Sequence, residues 1–564
     1  MASKILPFEN SKEKYIKLAK KRLEESDYSG ALSMLFTALG NGNDYEILKE
    51  IAFIYSVIEQ YEMSNLYWFR YIYYAPKDKV PCAFEELAVN YFYLDNLWAS
   101  GYYFHKKLSI DGFISKENLD EEIMDFFSGG ELKKYAYRVV YPHNLADYSF
   151  EYKNAKRLMR TGDFISGIKE FEKVPKECMD EEMLSDLTLA YIMTENGEKA
   201  EECARYSIGK FGERVGALCA LSTLYETRKD EENAEFYYRK ALAVAQGEQE
   251  DWCKILSPAI ERKDHETAKN CLKHILDERP TELVMRFFYG MAFLNLQEYE
   301  KAQEQFKQVF RLNPKDFVVE YYLDLAKKLQ NDGALAGKML PLGYYKELPR
   351  SETQKWKRQI KDLEKKPEKI SVAIKKAQTK RLFTWGLLFG EDALMRVTVM
   401  VLTVADKKYF KEIALNILLN PDAGIEVKKL LIYALVLSGI KGKIGIVAGS
   451  YYCDINFKKL LCENKEGSKI YLCAYALCVS RMVFYGIDDF TKMANATDKL
   501  FFDLGQEINS AEVNNEELAG LILAQSGYEN FLKSSQIKSV FDIDEQKLVK
   551  LQEIANIKKE NKND

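Results

Sequence analysis

Residues 289–316 read YGMAFLNLQEYEKAQEQFKQVFRLNPKD. Gly290 stands twelve residues before Ala302, and Pro314 stands twelve after it. The same spacing recurs up the chain. Ala302, Ala268, Ala234 and Ala200 are 34 residues apart, Gly167 lies 33 before Ala200, and Ser100, Ser64 and Ala31 extend the series. Four residues after each comes a packing residue: Leu35, Trp68, Phe104, Phe171, Ala204, Tyr238, Leu272 and Phe306.

Twelve residues before each small residue runs a second series, Ala19, Ala52, Ala88, Ala155, Thr188, Ser222, Leu256 and Gly290, in which only Leu256 is bulky. Three positions further on stand Tyr55, Tyr91, Leu158, Tyr191, Tyr225 and Phe293, with Arg22 and Ala259 departing from the pattern. Two antiparallel helices joined by a short turn approach closely only where the facing positions lack bulk, and a large neighbour fills the space beside them. Gln297-Glu298-Tyr299 is such a turn. Pro76, Pro280 and Pro314 each end a unit, because proline cannot donate the next helical hydrogen bond.

A register held over eight units resembles the tetratricopeptide repeat family. The resemblance covers residues 10–335 and implies an all-α fold: a solenoid of helix hairpins whose first helices line a concave face. It assigns groove positions to Phe53, Phe92, Tyr152, Lys156, Leu189, Ile192, Phe287, Met291 and Leu294. Most are apolar, so the implied partner is a protein or peptide with hydrophobic anchors. Chaperone-binding members clamp a C-terminal carboxylate with Lys and Asn four residues apart; the corresponding residues here are Lys49 and Phe53, which makes heat-shock chaperone C-termini unsuitable partners. The bland reading of the groove residues is that the C-terminal half or a tight superhelix covers them. Between Ser100 and Gly167 two periods pass, leaving room for a ninth, worn helix pair or an insertion.

Composition agrees with a folded helical protein. The chain has 564 residues, 47% hydrophobic and 30% charged, with 37 Tyr and 31 Phe against 12 Pro. A net charge of −5 excludes a general polyanion binder. No N-terminal apolar core of a signal peptide is seen, and the apolar runs at 397–405 and 430–437 are too short to cross a bilayer. Ten cysteines without paired spacing fit reduced thiols, so a cytoplasmic location is expected.

The sequence predicts a solenoid over 1–335, a basic helical linker over 336–381 and a helical domain over 382–515. A helix-turn-helix-like unit over 516–556 and a charged tail over 557–564 complete it. The stretch 350–381 carries twelve Lys/Arg against four acids, with Trp356, Ile360 and Leu363 on one helical side. KIGIVAGSYYCDINF alternates around Gly449-Ser450 and predicts the single β-hairpin, near 443–457. Near the end, Ser535 and Asp544 are candidate caps of two short helices separated by Asp542-Ile543. Such a unit puts its second helix in a DNA groove in some families, but Asp544 and Glu545 repel phosphates, and only Lys547 and Lys550 offset them.

Chemistry is sparse. No phosphate loop is present, and four histidines leave little for acid-base catalysis. Cys253, His265, Cys271 and His274 lack the paired spacing of a zinc site. The acidic pairs Glu121-Glu122 and Glu181-Glu182 fall at helix starts, where they complement the dipole. No catalytic residue, metal or cofactor is expected. The function predicted is a scaffold or adaptor binding a peptide or protein in the groove. A transcription regulator with a peptide-sensing solenoid is the alternative.

Overall fold

The computed structural model describes residues 8–40, 42–110, 148–160, 162–245, 247–333, 341–504, 513–528, 534–544, 546–549 and 551–552. Among them the small-residue series falls on eight helix hairpins. These are α1 (Phe8–Glu24) with α2 (Tyr28–Leu39), α3 (Tyr45–Val57) with α4 (Tyr61–Tyr74), and α5 (Pro81–Tyr93) with α6 (Leu97–Ile110). Next come α7 (Ser149–Arg160) with α8 (Phe164–Phe171), α9 (Glu181–Met193) with α10 (Gly197–Phe211), and α11 (Val215–Thr227) with α12 (Glu231–Val244). The last are α13 (Gln249–Glu261) with α14 (His265–Glu278) and α15 (Leu283–Asn295) with α16 (Tyr299–Leu312), followed by α17 (Phe317–Asn331). The possible ninth pair, and Glu121-Glu122 within it, lie outside the described residues.

The twelve-residue offset is a direct contact between paired helices. Ser64 Oγ donates to the Ala52 carbonyl at 2.8 Å, Ser100 Oγ to that of Ala88 at 2.8 Å, and Ser222 Oγ to that of Ala234 at 2.9 Å. All sixteen positions of the two series are buried except Ser100, which is half-buried. At Gly290 a Cβ would stand 2.5 Å from the Phe306 ring, so the large residue of the pattern occupies the space that the missing side chain leaves.

Seven residues after each first-helix position, the backbone turns left-handed: Ser26, Glu59, Asp95, Gly162, Glu195, Lys229, Lys263 and Gln297 all have positive φ. The next residue caps the second helix. Asp27, Asp163, Asp230 and Asp264 each accept from a backbone N–H three positions on, and their own N–H groups bond back to the carbonyl five residues earlier. α4, α14 and α16 each end two residues before a proline, Pro76, Pro280 and Pro314.

Successive hairpins are also tied by a polar link of fixed spacing. Glu201 accepts from Arg228 at 2.5 Å, Arg262 pairs with Glu235, and Gln303 donates to Gln330 at 2.5 Å, each across 27 residues. Hydrogen bonds from Arg228, Arg205 and Tyr225 hold the Glu201 carboxyl down to about 2.

The chain divides into two compact units, one of Met1–Gly40, Val57–Gln60 and Lys116–Glu347, the other of Asn41–Ser56, Tyr61–Ser115 and Leu348–Asp564. Within the first, α2 rests against α16, and the Lys315 ammonium lies 5.7 Å from the Phe36 ring centroid. The second joins α3–α6 to the C-terminal helices α18 (Arg350–Lys365), α19 (Ile370–Ala373), α20 (Ala377–Leu388), α21 (Asp392–Val404), α22 (Lys407–Leu418) and α23 (Ile425–Leu437). It also holds α24 (Lys469–Met482), α25 (Thr491–Leu504), α26 (Asn515–Gln525) and α27 (Ser534–Phe541). On α18, Ile360 is buried and Trp356 meets Trp385 edge-on at 5.6 Å, so the basic helix has the apolar side its spacing predicts.

The hairpin of β1 (Gly442–Ala448) and β2 (Tyr451–Phe457) is antiparallel and turns at Gly449-Ser450. Its tip docks on α6. Tyr103 donates to the Ser450 carbonyl at 2.8 Å and accepts from Tyr452 N at 2.9 Å, while Asn96 Nδ2 donates to Ser450 Oγ at 3.0 Å. From the far side, the buried Lys428 of α23 donates to the Val447 carbonyl at 2.6 Å. Burial lowers this lysine to about 8.

Two outcomes are expected. On an open helix Gly→Ala stabilises by about 1 kcal/mol, but Gly290→Ala drives a methyl into Phe306 and should instead cost about 1–3 kcal/mol, read as a lower urea midpoint. The depressed Glu201 carboxyl contributes stability that is present above its unfolded value near 4.5 and lost as pH falls toward 2. The deficit of Glu201→Gln against the parent chain at pH 7 should therefore shrink over that window in pH-dependent denaturation.

Candidate peptide-binding surface

The first helix of each hairpin carries the residues predicted to line a groove, and the structure sorts them into three groups. Phe53 on α3 and Phe92 on α5 are 49% and 60% exposed, with Val89 also exposed on α5. Both rings belong to one compact unit and stand at −51 and −12 relative to Phe104 in sequence, on helices whose opposite sides are buried. Beside them Tyr93 stacks on Tyr61 at 5.0 Å and meets the Phe92 ring edge-on at 5.8 Å. The result is an exposed aromatic surface.

The second group lies on α7 and α9. Tyr152 donates to Asp186 Oδ2 at 3.0 Å, Lys156 pairs with Glu182 at 2.7 Å, and the Lys156 ammonium sits 5.0 Å from the Tyr152 ring centroid. Burial raises the Tyr152 phenol well above its ordinary value and also raises the Asp186 carboxyl. Leu189 is 44% exposed and Ile192 is half-buried. Here the face is a polar lattice with an apolar margin.

The third group is a correction. Phe287, Met291 and Leu294 on α15, expected on an open groove, are 0%, 0% and 2% exposed. Phe287 is held between Phe306 at 5.5 Å and Tyr322 at 5.4 Å, so its position faces the next helix of the stack. Met291 lies on the same stripe of α15 as Phe288 and Asn295, and that stripe is covered by residues 341–347. Asn295 exchanges two hydrogen bonds with the Leu342 backbone, at 2.8 and 2.9 Å, and Tyr344 meets Phe288 edge-on at 6.0 Å. This strap was not legible as such: Gly343 between Pro341 and Pro349 reads as a domain boundary.

Elsewhere the residues weighed for chemistry have structural partners. His265 Nδ1 meets the Tyr344 hydroxyl at 3.0 Å, His274 stacks on Trp252 at 4.5 Å, and Cys271 is buried. Among the described residues no His, Cys, Asp or Glu group is arranged to hold a metal ion. None of the ten cysteines is in a disulfide within the chain. A cavity of about 360 Å³ between α21, α23, α24 and α26 mixes carboxylates with cations, but its Glu426 is paired to Lys429 at 2.9 Å, and its Arg481 donates to the Val540 carbonyl at 2.6 Å.

In the C-terminal unit Asp542 has φ 54, so aspartate takes the left-handed turn, and Asp544 accepts from Gln546 N at 2.8 Å. Ile537, Phe541, Ile543 and Leu548 are buried, and Lys547 pairs with Glu517 at 2.6 Å. Glu545 and Lys550 lie outside the described residues. No described helix is long and apolar enough to cross a membrane.

Residues 215–247 and 284–316, the hairpins α11–α12 and α15–α16, match the tetratricopeptide repeat family. No curated protein matches the chain. Among solved structures, the chain is similar to a tetratricopeptide repeat protein from Parabacteroides merdae at 13% identity and a TM-score of 0.25, covering 50% of this chain and 97% of that one. It is similar to yeast Tom70 at 10% identity and a TM-score of 0.25, over 98% and 97% of the two chains. A human IFIT1 dimer with PPP-AAAA gives 13% and 0.26, over 73% and 91%. None of these distant likenesses bears on what the chain binds. The chain thus carries tetratricopeptide repeats at the two matched segments, with helix hairpins of the same register before and between them.

Proposed function

We propose that the chain is an interaction scaffold that works by binding a protein or peptide rather than by covalent chemistry. The observation that carries this reading is the pair of exposed rings, Phe53 and Phe92, on first helices of neighbouring hairpins. Large aromatic side chains left in water beside Val89 and Tyr93 are the composition of an interface core, not of an ordinary solvated helix face. The partner therefore offers apolar side chains to α3 and α5. Phe53, not an asparagine, stands four residues after Lys49, and a carboxylate-terminated ligand is not the class favoured. On α9, Leu189 and Ile192 provide a second, smaller apolar contact. Ten cysteines outside any disulfide support a reducing, cytoplasmic setting.

Phe53→Asp with Phe92→Asp is the direct test. Anchors of this kind contribute on the order of 2 kcal/mol each to binding, so the double variant should reduce partner capture at least tenfold in crosslinking pull-downs quantified by mass spectrometry. Its far-UV circular dichroism should match the parent, because both rings are already exposed. An unchanged set of captured proteins would contradict the reading.

A further inference from the structure

Residues 341–347, PLGYYKE, form neither helix nor strand, bend at Tyr344, Lys346 and Glu347, and contact α14, α15 and α17, all within one compact unit. Burial alternates along them. Leu342, Tyr344 and Lys346 are covered in part or in full, while Gly343, Tyr345 and Glu347 are exposed. Tyr344 is 5% exposed and its neighbour Tyr345 is 73% exposed. That contrast separates a side chain that is bound from one that is merely nearby.

The strap makes no sheet or helix bonds of its own here; helix side chains supply its partners. Asn295 Oδ1 accepts from Leu342 N at 2.8 Å, and Asn295 Nδ2 donates to the Leu342 carbonyl at 2.9 Å. Tyr322 donates to the Glu347 carbonyl at 3.1 Å. Between these backbone clamps the Tyr344 ring lies against His265 at 5.8 Å and Phe288 at 6.0 Å, with its hydroxyl 3.0 Å from His265 Nδ1. Desolvation keeps His265 below its ordinary value, which suits an imidazole nitrogen that accepts from the phenol. Lys346 pairs at 2.7 Å with Asp316, whose other bonds cap α17.

A connecting segment needs no such arrangement, because water satisfies an exposed backbone. An amide and a phenol that hold main-chain groups, an aromatic slot and an acidic residue beyond it are the parts of a receptor for a peptide segment. We propose that this face is a binding site for a non-helical segment bearing a tyrosine with a lysine two residues later, and that residues 342–347 are its internal ligand. A partner with that pattern binds by displacing the strap. Ordering the strap costs conformational entropy that offsets part of what its contacts contribute, so exchange with an external segment is open. Tethering makes the strap a competitor at about millimolar effective concentration. The inference shares with the scaffold reading only the class of ligand; neither Phe53 nor Phe92 takes part.

The probe is a fluorescein-labelled peptide of residues 341–348, PLGYYKEL, titrated by anisotropy into the full chain. Tyr344→Ala weakens the internal competitor, and the peptide should bind this variant at least tenfold more tightly than the parent chain. Adding Asn295→Ala should remove the gain. Tyr345→Ala, on the exposed side, should leave parent affinity unchanged. Should Tyr344→Ala not fold by circular dichroism, Lys346→Glu provides the same comparison with a smaller gain, since its ion pair is peripheral. Equal affinity for parent and strap variants, or no binding to a folded strap variant, would overturn the proposal. Either result would leave the Phe53 and Phe92 test untouched.

Discussion

Paired helices in this protein touch where side chains are almost absent, and every longer-range feature is built on that contact. When Ser222 reaches the Ala234 carbonyl at 2.9 Å, the two backbones have come as near as a hydroxymethyl group permits. The bulk excluded there reappears one turn away, as at Phe306, which fills the space over Gly290. Close approach and filling residue together fix the rotation of each helix about its axis. The left-handed residue seven positions after the first contact then fixes the turn, and the capping aspartate starts the second helix in register.

Because each hairpin repeats that geometry, its first helix offers the same positions to whatever lies beyond. What differs is the covering. Around Phe53 and Phe92 the helices keep their aromatic side open. On α7 and α9 the same face is occupied by Tyr152, Asp186, Lys156 and Glu182 bonded to one another. On α15 it is occupied by a strap of the chain itself. One register thus yields an open apolar surface, a polar lattice and a filled peptide slot, so binding capacity is set by neighbours rather than by the repeat. In the other compact unit the hairpin tip at Ser450 is gripped by Tyr103 and Asn96, and there the second helix of a repeat serves as a structural seat.

The helix pairs were legible because smallness at 34-residue spacing has a single economical cause, and the β-hairpin was legible from its alternation around Gly449. The turn was not. Only Gly162 among the eight left-handed residues is glycine; Ser26, Glu59, Asp95, Glu195, Lys229, Lys263 and Gln297 carry side chains that do not announce such a backbone. At Ser26, Asp95, Glu195, Lys229, Lys263 and Gln297 the conformation is held by the bond from the following N–H to the carbonyl five residues earlier, which depends on main-chain geometry. The recurring link from Glu201 to Arg228, Glu235 to Arg262 and Gln303 to Gln330 was hidden for a related reason, since it changes chemistry from ion pair to amide pair. At the candidate site, apolar character was visible at Phe53 and Met291 alike. Met291 is buried on a helix stripe whose members Phe288 and Asn295 meet the strap, about fifty residues away in sequence and without repeat signal, whereas Phe53 is exposed.

The contact of small residues can be observed without reference to binding. Alanine-methyl labelling of the chain, with assignment by substitution, places one probe at Ala19 and another at Ala31, the two members of the first pair. The account predicts a methyl–methyl nuclear Overhauser effect between them, and a corresponding one between Ala234 and residue 222 in a Ser222→Ala variant. Folded protein in which both cross-peaks are missing while sequential alanine contacts persist would contradict it.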